Sequence, residues 1–177
     1  MPSVNKPTRK LVLRSVEQHD LADLTAIETL GALEPSSLAM MRRWYERSRC
    51  VKHKRNRRLW LVMSVATDIN GDALGHVVLL GEDGTADLAR LVVHPHWRRQ
   101  RIGSRLLEYA IDDARDRHSL ATLHWIVHER DVAGVNFAKS FGMRTPAHQP
   151  IRKDWFGEGD DGYAFALTVE APRDAQD

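Results

Sequence analysis

The segment LVVHPHWRRQRIGSRLL, residues 91–107, concentrates the chemistry that the sequence offers. An apolar run closes at Val93, a short loop follows around Pro95, and helical periodicity sets in at Arg101 or Ile102. The first turn of a helix leaves backbone N–H groups without partners and carries the positive end of the helix dipole, so it suits an anion. Gly103 adds no side chain there, which lets a phosphate approach the main chain closely. Arg98, Arg99, Arg101 and Arg105 crowd the same turn. Four cations at the positive end of a helix are unfavourable unless an anion joins them. From charge alone, a pyrophosphate cradle and a solvated arginine-rich turn stand level.

Other chemistries are excluded or weakened. No GxxxxGK[ST] occurs, so there is no Walker loop, and GxGxxG is absent from a segment preceded by a strand meander, so there is no dinucleotide fingerprint. The nine histidines invite a metal, but there is no HExxH. His124 and His128 are too widely spaced along a strand to chelate, His94 and His96 only flank a proline, and no metal is expected. The single Cys50 excludes an intramolecular disulfide or a multi-cysteine metal site, and no His-Asp partnering marks it as a nucleophile.

The 177-residue chain is 42% hydrophobic and 28% charged, which is globular composition at a length suited to one domain. No apolar run approaches the ~20 residues of a spanning helix. The basic start MPSVNKPTRK has no apolar core behind it, so a cytoplasmic protein with no membrane partner is the expectation. The net charge of +2 hides a segregation: residues 42–58 hold nine Lys/Arg against one Glu, and the rest of the chain is acidic. That run has three readings: a solvated surface, recruitment of an acidic acceptor, or contact with nucleic acid through Trp44 and Tyr45, the least favoured of the three.

The elements that must position these residues follow from periodicity. Residues 1–9 read as a flexible arm, 10–170 as one domain and 171–177 as a tail. Residues 10–16 read as a strand. Leu21, Leu24, Ile27 and Leu30 mark a helix that Asp20 can cap and Gly31 can end. A second short helix spans 36–47. Three meandering strands follow: one through Leu59, Leu61, Met63 and Val65, then 73–80, then 85–93. Asn70-Gly71 predicts a type I′ hairpin between the first two. Ile102, Leu106, Leu107, Ala110, Ile111 and Ala114 give a helix of about four turns. A buried strand at 120–127, a short helix at 131–140 ended by Gly142, and a strand at 162–169 complete the order, with an extra short strand near 147–152. A meander feeding a strand–helix–strand crossover predicts a mixed α/β sheet with helices on both faces.

WRRQRIGSRLL after LVVHP resembles the acetyl-CoA-binding motif of the Gcn5-related N-acetyltransferases, [QR]-x-x-G-x-[GA]. Arg98 takes its first position and Gly103 its last, while Arg101 replaces the middle glycine. The family's next motif falls on Leu123, Trp125, Val127, Asp131, Gly134, Phe137, Ala138, Gly142 and Met143, with spacing kept. Asp131 stands for Asn, Ala138 for Tyr and Met143 for Phe. The order of elements matches from Lys10 to Val169.

The resemblance implies acetyl-CoA as cosubstrate and a primary amine of a small molecule or protein as acceptor, with direct attack in a ternary complex. It implies that strands 85–93 and 120–128 splay, that the backbone of Leu91, Val92 and Val93 holds the pantetheine arm, and that the amides of Arg99, Gln100, Arg101, Ile102, Gly103 and Ser104 hold the pyrophosphate. Arg98, Asp131 and Phe137 join the cofactor set by motif position. The family often has Glu where this chain has Asp87, the candidate base, which would act through a water. Strand alternation puts Arg90 on the opposite face from Asp87 unless a bulge resets the phase. With Ala138 at the tyrosine position, Tyr163, Ser140 and His128 are candidate acids, Tyr163 being the one carried forward. Many relatives dimerise, so a homodimer is a further expectation. The alternative is a family fold that keeps CoA, or binds nucleic acid, but has lost turnover.

Overall fold

Stretches of period two become strands and stretches of period 3.6 become helices. The structure, a computed structural model, describes residues 10–49, 59–148 and 150–170. The expected arm and tail, Cys50 and the basic residues 51–58 lie outside the described residues. In chain order come β1 (Val12–Ser15), α1 (Leu21–Gly31), α2 (Leu38–Ser48), β2 (Leu59–Thr67), β3 (Ala73–Glu82), β4 (Thr85–Val93), α3 (Ile102–His118), β5 (Thr122–His128), α4 (Val132–Ser140), β6 (Ile151–Gly157) and β7 (Asp160–Thr168). Short 3-10 turns precede α1 and α3 at Gln18–Asp20 and Pro95–Trp97. The strands form one mixed sheet, ordered β1-β2-β3-β4-β5-β7-β6, in which β4 and β5 are parallel and all other neighbours antiparallel.

Both faces of the sheet are covered, so two cores form. On one face α3 and α4 bury Leu106, Leu107, Ala110 and Ala138 against Val77, Leu79, Leu88, Leu123 and Val127. On the other, α1 and α2 bury Leu24, Ile27 and Met41 against Leu61, Met63, Val78 and Val92. Double coverage explains why β2 is buried without alternation from Leu61 to Thr67. Leu106 and Leu107 are fully buried, and truncating either to Ala costs about 2–5 kcal/mol.

Three local expectations are corrected. Asn70-Gly71 forms no two-residue hairpin. Pairing ends at Thr67 and Ala73, and Oδ1 of Asp68 accepts the N–H groups of Asn70 and Asp72 at 2.8 and 3.1 Å, organising a wider loop in which Gly71 alone has positive φ. An Asx turn has displaced the type I′ turn. The paired positive φ values fall instead at Asp83-Gly84, 46° and 80°, between β3 and β4. Asp20 does not cap α1. Its buried carboxylate accepts two N–H groups of Arg14 at 2.7 and 2.8 Å and the Glu17 N–H at 2.7 Å, because a guanidinium fork outcompetes a lone helix amide. The extra strand is the full β6, paired with β7 and then widely bulged between Arg152 and Gly157.

Two irregularities shape the site. The β3–β4 register shifts so that Val78 faces Arg90 and Leu79 faces Leu88, leaving Ala89 as the bulged residue. The bulge resets the phase: Asp87, Arg90 and Val92 share the α1/α2 face, while Leu91 and Val93 join the α3 face. Pairing between β4 and β5 lasts only from Thr85↔Thr122 to Asp87↔His124. β5 then continues to His128 against β7, so β4 has an open edge from Leu88 to Val93.

Candidate functional site

The open edge of β4 leads directly into the arginine-rich loop. Arg99 and Arg101 there adopt left-handed backbone, with φ 63° and 59°. This conformation costs a non-glycine residue of the order of 1 kcal/mol or more. Arg101 thus keeps a conformation natural to the glycine it replaces, and it enters α3 with no side-chain cap. The first backbone bond that closes on the helix start is Arg105 N–H to Arg101 O, at 3.0 Å. The N–H groups of Ile102, Gly103 and Ser104 therefore have no acceptor among the described residues. Arg99, Arg101 and Arg105 are exposed and pair with no carboxylate among the described residues. Three exposed guanidiniums and three free amides thus lie on one loop and the helix turn that follows it, a set of groups that can hold a polyanion.

A β-carbon at Gly103 would lie 3.4 Å from Phe137 and 3.6 Å from Val93, ordinary contact distances. The fold therefore accepts a β-carbon at Gly103, which faces the space between β4 and α4. Leu91 and Val93 form one wall of that space. The other is aromatic: Trp125 meets Phe137 edge-on at 6.1 Å, and Phe137 stacks on Phe141 at 5.6 Å.

Other expected site residues are used differently. Arg98, exposed on the same loop, turns back from the amides. Its Nε donates to Val93 O at 3.1 Å and its Nη2 to Gly31 O at 2.6 Å, tying the end of β4 to the end of α1. Asp131 caps α4, Oδ1 accepting the Gly134 N–H at 2.8 Å. Asp87 is exposed on the last β4–β5 rung, and its carboxylate makes no hydrogen bond or ion pair among the described residues. Tyr163 is 37% exposed and opposite Val127, which puts it on the α3/α4 face, across the sheet from Asp87. Ser140 donates back to Phe137 O at 2.9 Å. His128 is buried, stacked on Phe156 at 4.8 Å, with Nδ1 accepting the Arg130 N–H. Ala138 is fully buried and leaves no room for a tyrosine. Trp44 and Tyr45 are half-buried against the α1/α2 core, which leaves less of each ring for stacking. No group of His, Cys, Asp and Glu among the described residues is placed to hold a metal, and no described helix is long and apolar enough to cross a membrane.

Sequence reasoning missed a buried pair beside this site. Glu28 on α1 and His76 on β3 are both 0% exposed, with Nε2 2.9 Å from Oε1. The distance is short, but the ring N–H is not aimed at the oxygen, and Nδ1 has no hydrogen-bond partner among the described residues. Burial opposes ionisation of Glu28. The contact with His76, the Ser36 N–H and the Arg90 charge overcome it and hold the carboxyl below its usual range. The only signal was Glu28 lying four residues after Leu24 on the apolar stripe of α1. An open groove of about 750 Å³ lined by Glu17, Gln18, His19, Tyr45 and Arg49 lies apart from the β4–β5 gap.

The fold and site can be set beside known proteins. The model of the Acetyltransferase (GNAT) family matches residues 19–143. No curated protein matches the chain. Among solved structures, the ribosomal-protein-S18-alanine N-acetyltransferase of Escherichia coli is 22% identical, with a TM-score of 0.70 over 94% of this chain and 98% of that one. A putative acetyltransferase of the GNAT family from Desulfovibrio desulfuricans is 19% identical, with a TM-score of 0.73 over 91% and 100%. PaiA N-acetyltransferase of Thermoplasma acidophilum, in complex with coenzyme A, is 16% identical, with a TM-score of 0.70 over 90% and 99%.

Proposed function

Because the chain belongs to the GNAT acetyltransferase family, we propose that it transfers an acetyl group from acetyl-CoA to a primary amine by direct attack in a ternary complex. The observation that carries this reading is the helix start itself: free amides of Ile102, Gly103 and Ser104, with exposed Arg99, Arg101 and Arg105 on the same loop and first turn, beside the gap between β4 and β5. In this reading the loop amides from Arg99 to Ser104 hold the pyrophosphate, and the open edge at Leu91, Val92 and Val93 takes the pantetheine arm as an added strand. Phe137 lines the arm. Asp131 and Arg98 contribute indirectly, by setting α4 and the end of β4.

The chemical step balances without an acetyl-enzyme. The ammonium of the acceptor loses a proton to Asp87 through a water. The amine nitrogen then bonds to the thioester carbon, the nitrogen releases its second proton to solvent, the C–S bond breaks, and the thiolate leaves and takes a proton. Tyr163 remains the candidate donor, with water as the other source because a CoA thiolate is a tolerable leaving group. The acceptor is a small-molecule or protein amine, met in the cytoplasm. No metal takes part, and a homodimer belongs to the same reading.

Calorimetry with acetyl-CoA, followed by CoA release over an amine panel, tests the proposal. The panel is an alanine-ended hexapeptide, a lysine-containing peptide and spermidine. Gly103→Glu places a carboxylate and a longer side chain in the cradle and is expected to weaken acetyl-CoA at least tenfold, about 1.4 kcal/mol, with the fold kept. Unchanged affinity would sink the cradle assignment. A second reading is a CoA-binding module with little turnover. The burial of Ala138 at the tyrosine position and the separation of Asp87 from Tyr163 across the sheet favour it, and acetyl-CoA binding with no CoA release for any amine would select it.

A further inference from the structure

A charged cluster lies beneath the α1–α2 connection, where the sheet could be covered by apolar contacts alone. Oε2 of Glu28 accepts the Ser36 N–H at 2.9 Å. Arg90 reaches the cluster because the bulge at Ala89 turns it to this face. Its Nε lies 3.9 Å from Glu28 Oε1 and donates to Ser36 Oγ at 2.9 Å, and its Nη2 donates to Glu34 O at 2.8 Å. Arg98 holds the start of the same connection at Gly31 O. Residues 31–36 are thus fastened at Gly31, Glu34 and Ser36 by side chains of α1, β4 and the loop that follows β4, on either side of the edge at Leu91–Val93. Burying a carboxylate is costly, and an apolar patch could hold a loop with similar strength. An ionic cluster adds direction: each bond fixes one backbone group in one place.

We propose that Arg90, oriented by Glu28, is a positioning residue for the amine acceptor, holding the α1–α2 connection as a fixed wall beside the open edge of β4. The proposal rests on the transfer reading above. Arg90 touches no reacting atom in it. Its task is to keep Glu34 and Ser36 in place, so that the acceptor meets a set surface next to the thioester.

The test compares the parent with Arg90→Gln, using the hexapeptide and spermidine as acceptors and acetyl-CoA as donor. Arg90 is only partly buried, so the variant is expected to fold. Its acceptor KM should rise at least tenfold, with kcat within threefold and acetyl-CoA Kd within twofold of the parent. Amide exchange of residues 32–37 should speed at least tenfold, with α3 unchanged. Glu28→Gln keeps an acceptor for the Ser36 N–H and removes only the charge, so it should show the same pattern more weakly. Unchanged loop exchange in both variants would overturn the clasp. A loosened loop with unchanged acceptor KM would overturn the acceptor role, as would parallel losses in acceptor KM and acetyl-CoA Kd. Failure of the transfer reading looks different: the parent itself would turn over no amine, and the positioning role would fall with it.

Discussion

Arg101 sits in left-handed backbone at the entry to α3, with a guanidinium where the motif has glycine. Two effects oppose each other there. Glycine relieves the steric cost but loses more entropy on folding, so Arg101→Gly is expected to leave stability unchanged or raise it by up to ~1 kcal/mol, read from urea midpoints. Acetyl-CoA affinity should fall severalfold in the same variant, because one of three free cations is gone. A large destabilisation would mean that Arg101 makes contacts beyond its backbone role. Ala138 is the opposite case. The site is closed, so Ala138→Tyr overpacks the α3/α4 core and should cost about 1–3 kcal/mol, lowering Tm rather than restoring an acid. A folded variant of parental Tm would show that the core opens there. The roles of these two residues were legible to different degrees. The left-handed position follows from the motif's glycine, but no sequence rule tells whether residue 138 faces a cleft or a core.

At the scale of elements, the acidic and imidazole groups that hold helices in place share one sign. Burial opposes ionisation of Asp20, but the Arg14 fork and the Glu17 N–H bring its carboxyl below the ordinary 3.8. Glu28 likewise lies below 4.5. His118, stacked face to face on Trp60 at 4.6 Å, is held below 6.5 by burial and by Arg117. In all three the unfolded chain binds protons more readily, so stability rises with pH. Stability should be full above about pH 6.5, decline first through His118, and fall more steeply below about 4.5 as both carboxylates are protonated. Urea midpoints between pH 7 and 3 would measure this, and Asp20→Asn should flatten the lowest part of the curve. The elements themselves were largely readable, because α3 and the strands β2 to β5 carry strong apolar patterns. β6 was only half seen: IRKDWFG is exposed at six of its seven positions and has no apolar rhythm. The Asn70-Gly71 turn was misread because Asp68, two residues earlier, offers its carboxylate to the same amides. The Glu28–His76 pair joins residues far apart in sequence, which no local pattern can announce.

Across the whole molecule, the parallel contact between β4 and β5 is limited to the rungs from Thr85↔Thr122 to Asp87↔His124, while β2–β3 and β5–β7 are paired along their lengths. Any ligand that binds only the folded chain stabilises it by mass action, about 2.7 kcal/mol at a hundredfold excess over Kd. Acetyl-CoA at that excess should therefore raise Tm by several degrees, as thermal scanning would show, and Gly103→Glu should remove most of the rise. An unchanged Tm in the parent would speak against binding. The short pairing has a mechanical meaning as well. The sheet is two plates, β1-β2-β3-β4 and β5-β7-β6, stitched by a brief seam at one end and by helix packing elsewhere. A molecule lying along the unstitched part would act as the missing thread. Substrate loading and the rigidity of the whole body would then be the same event, and the empty protein would be the one whose plates are free to breathe.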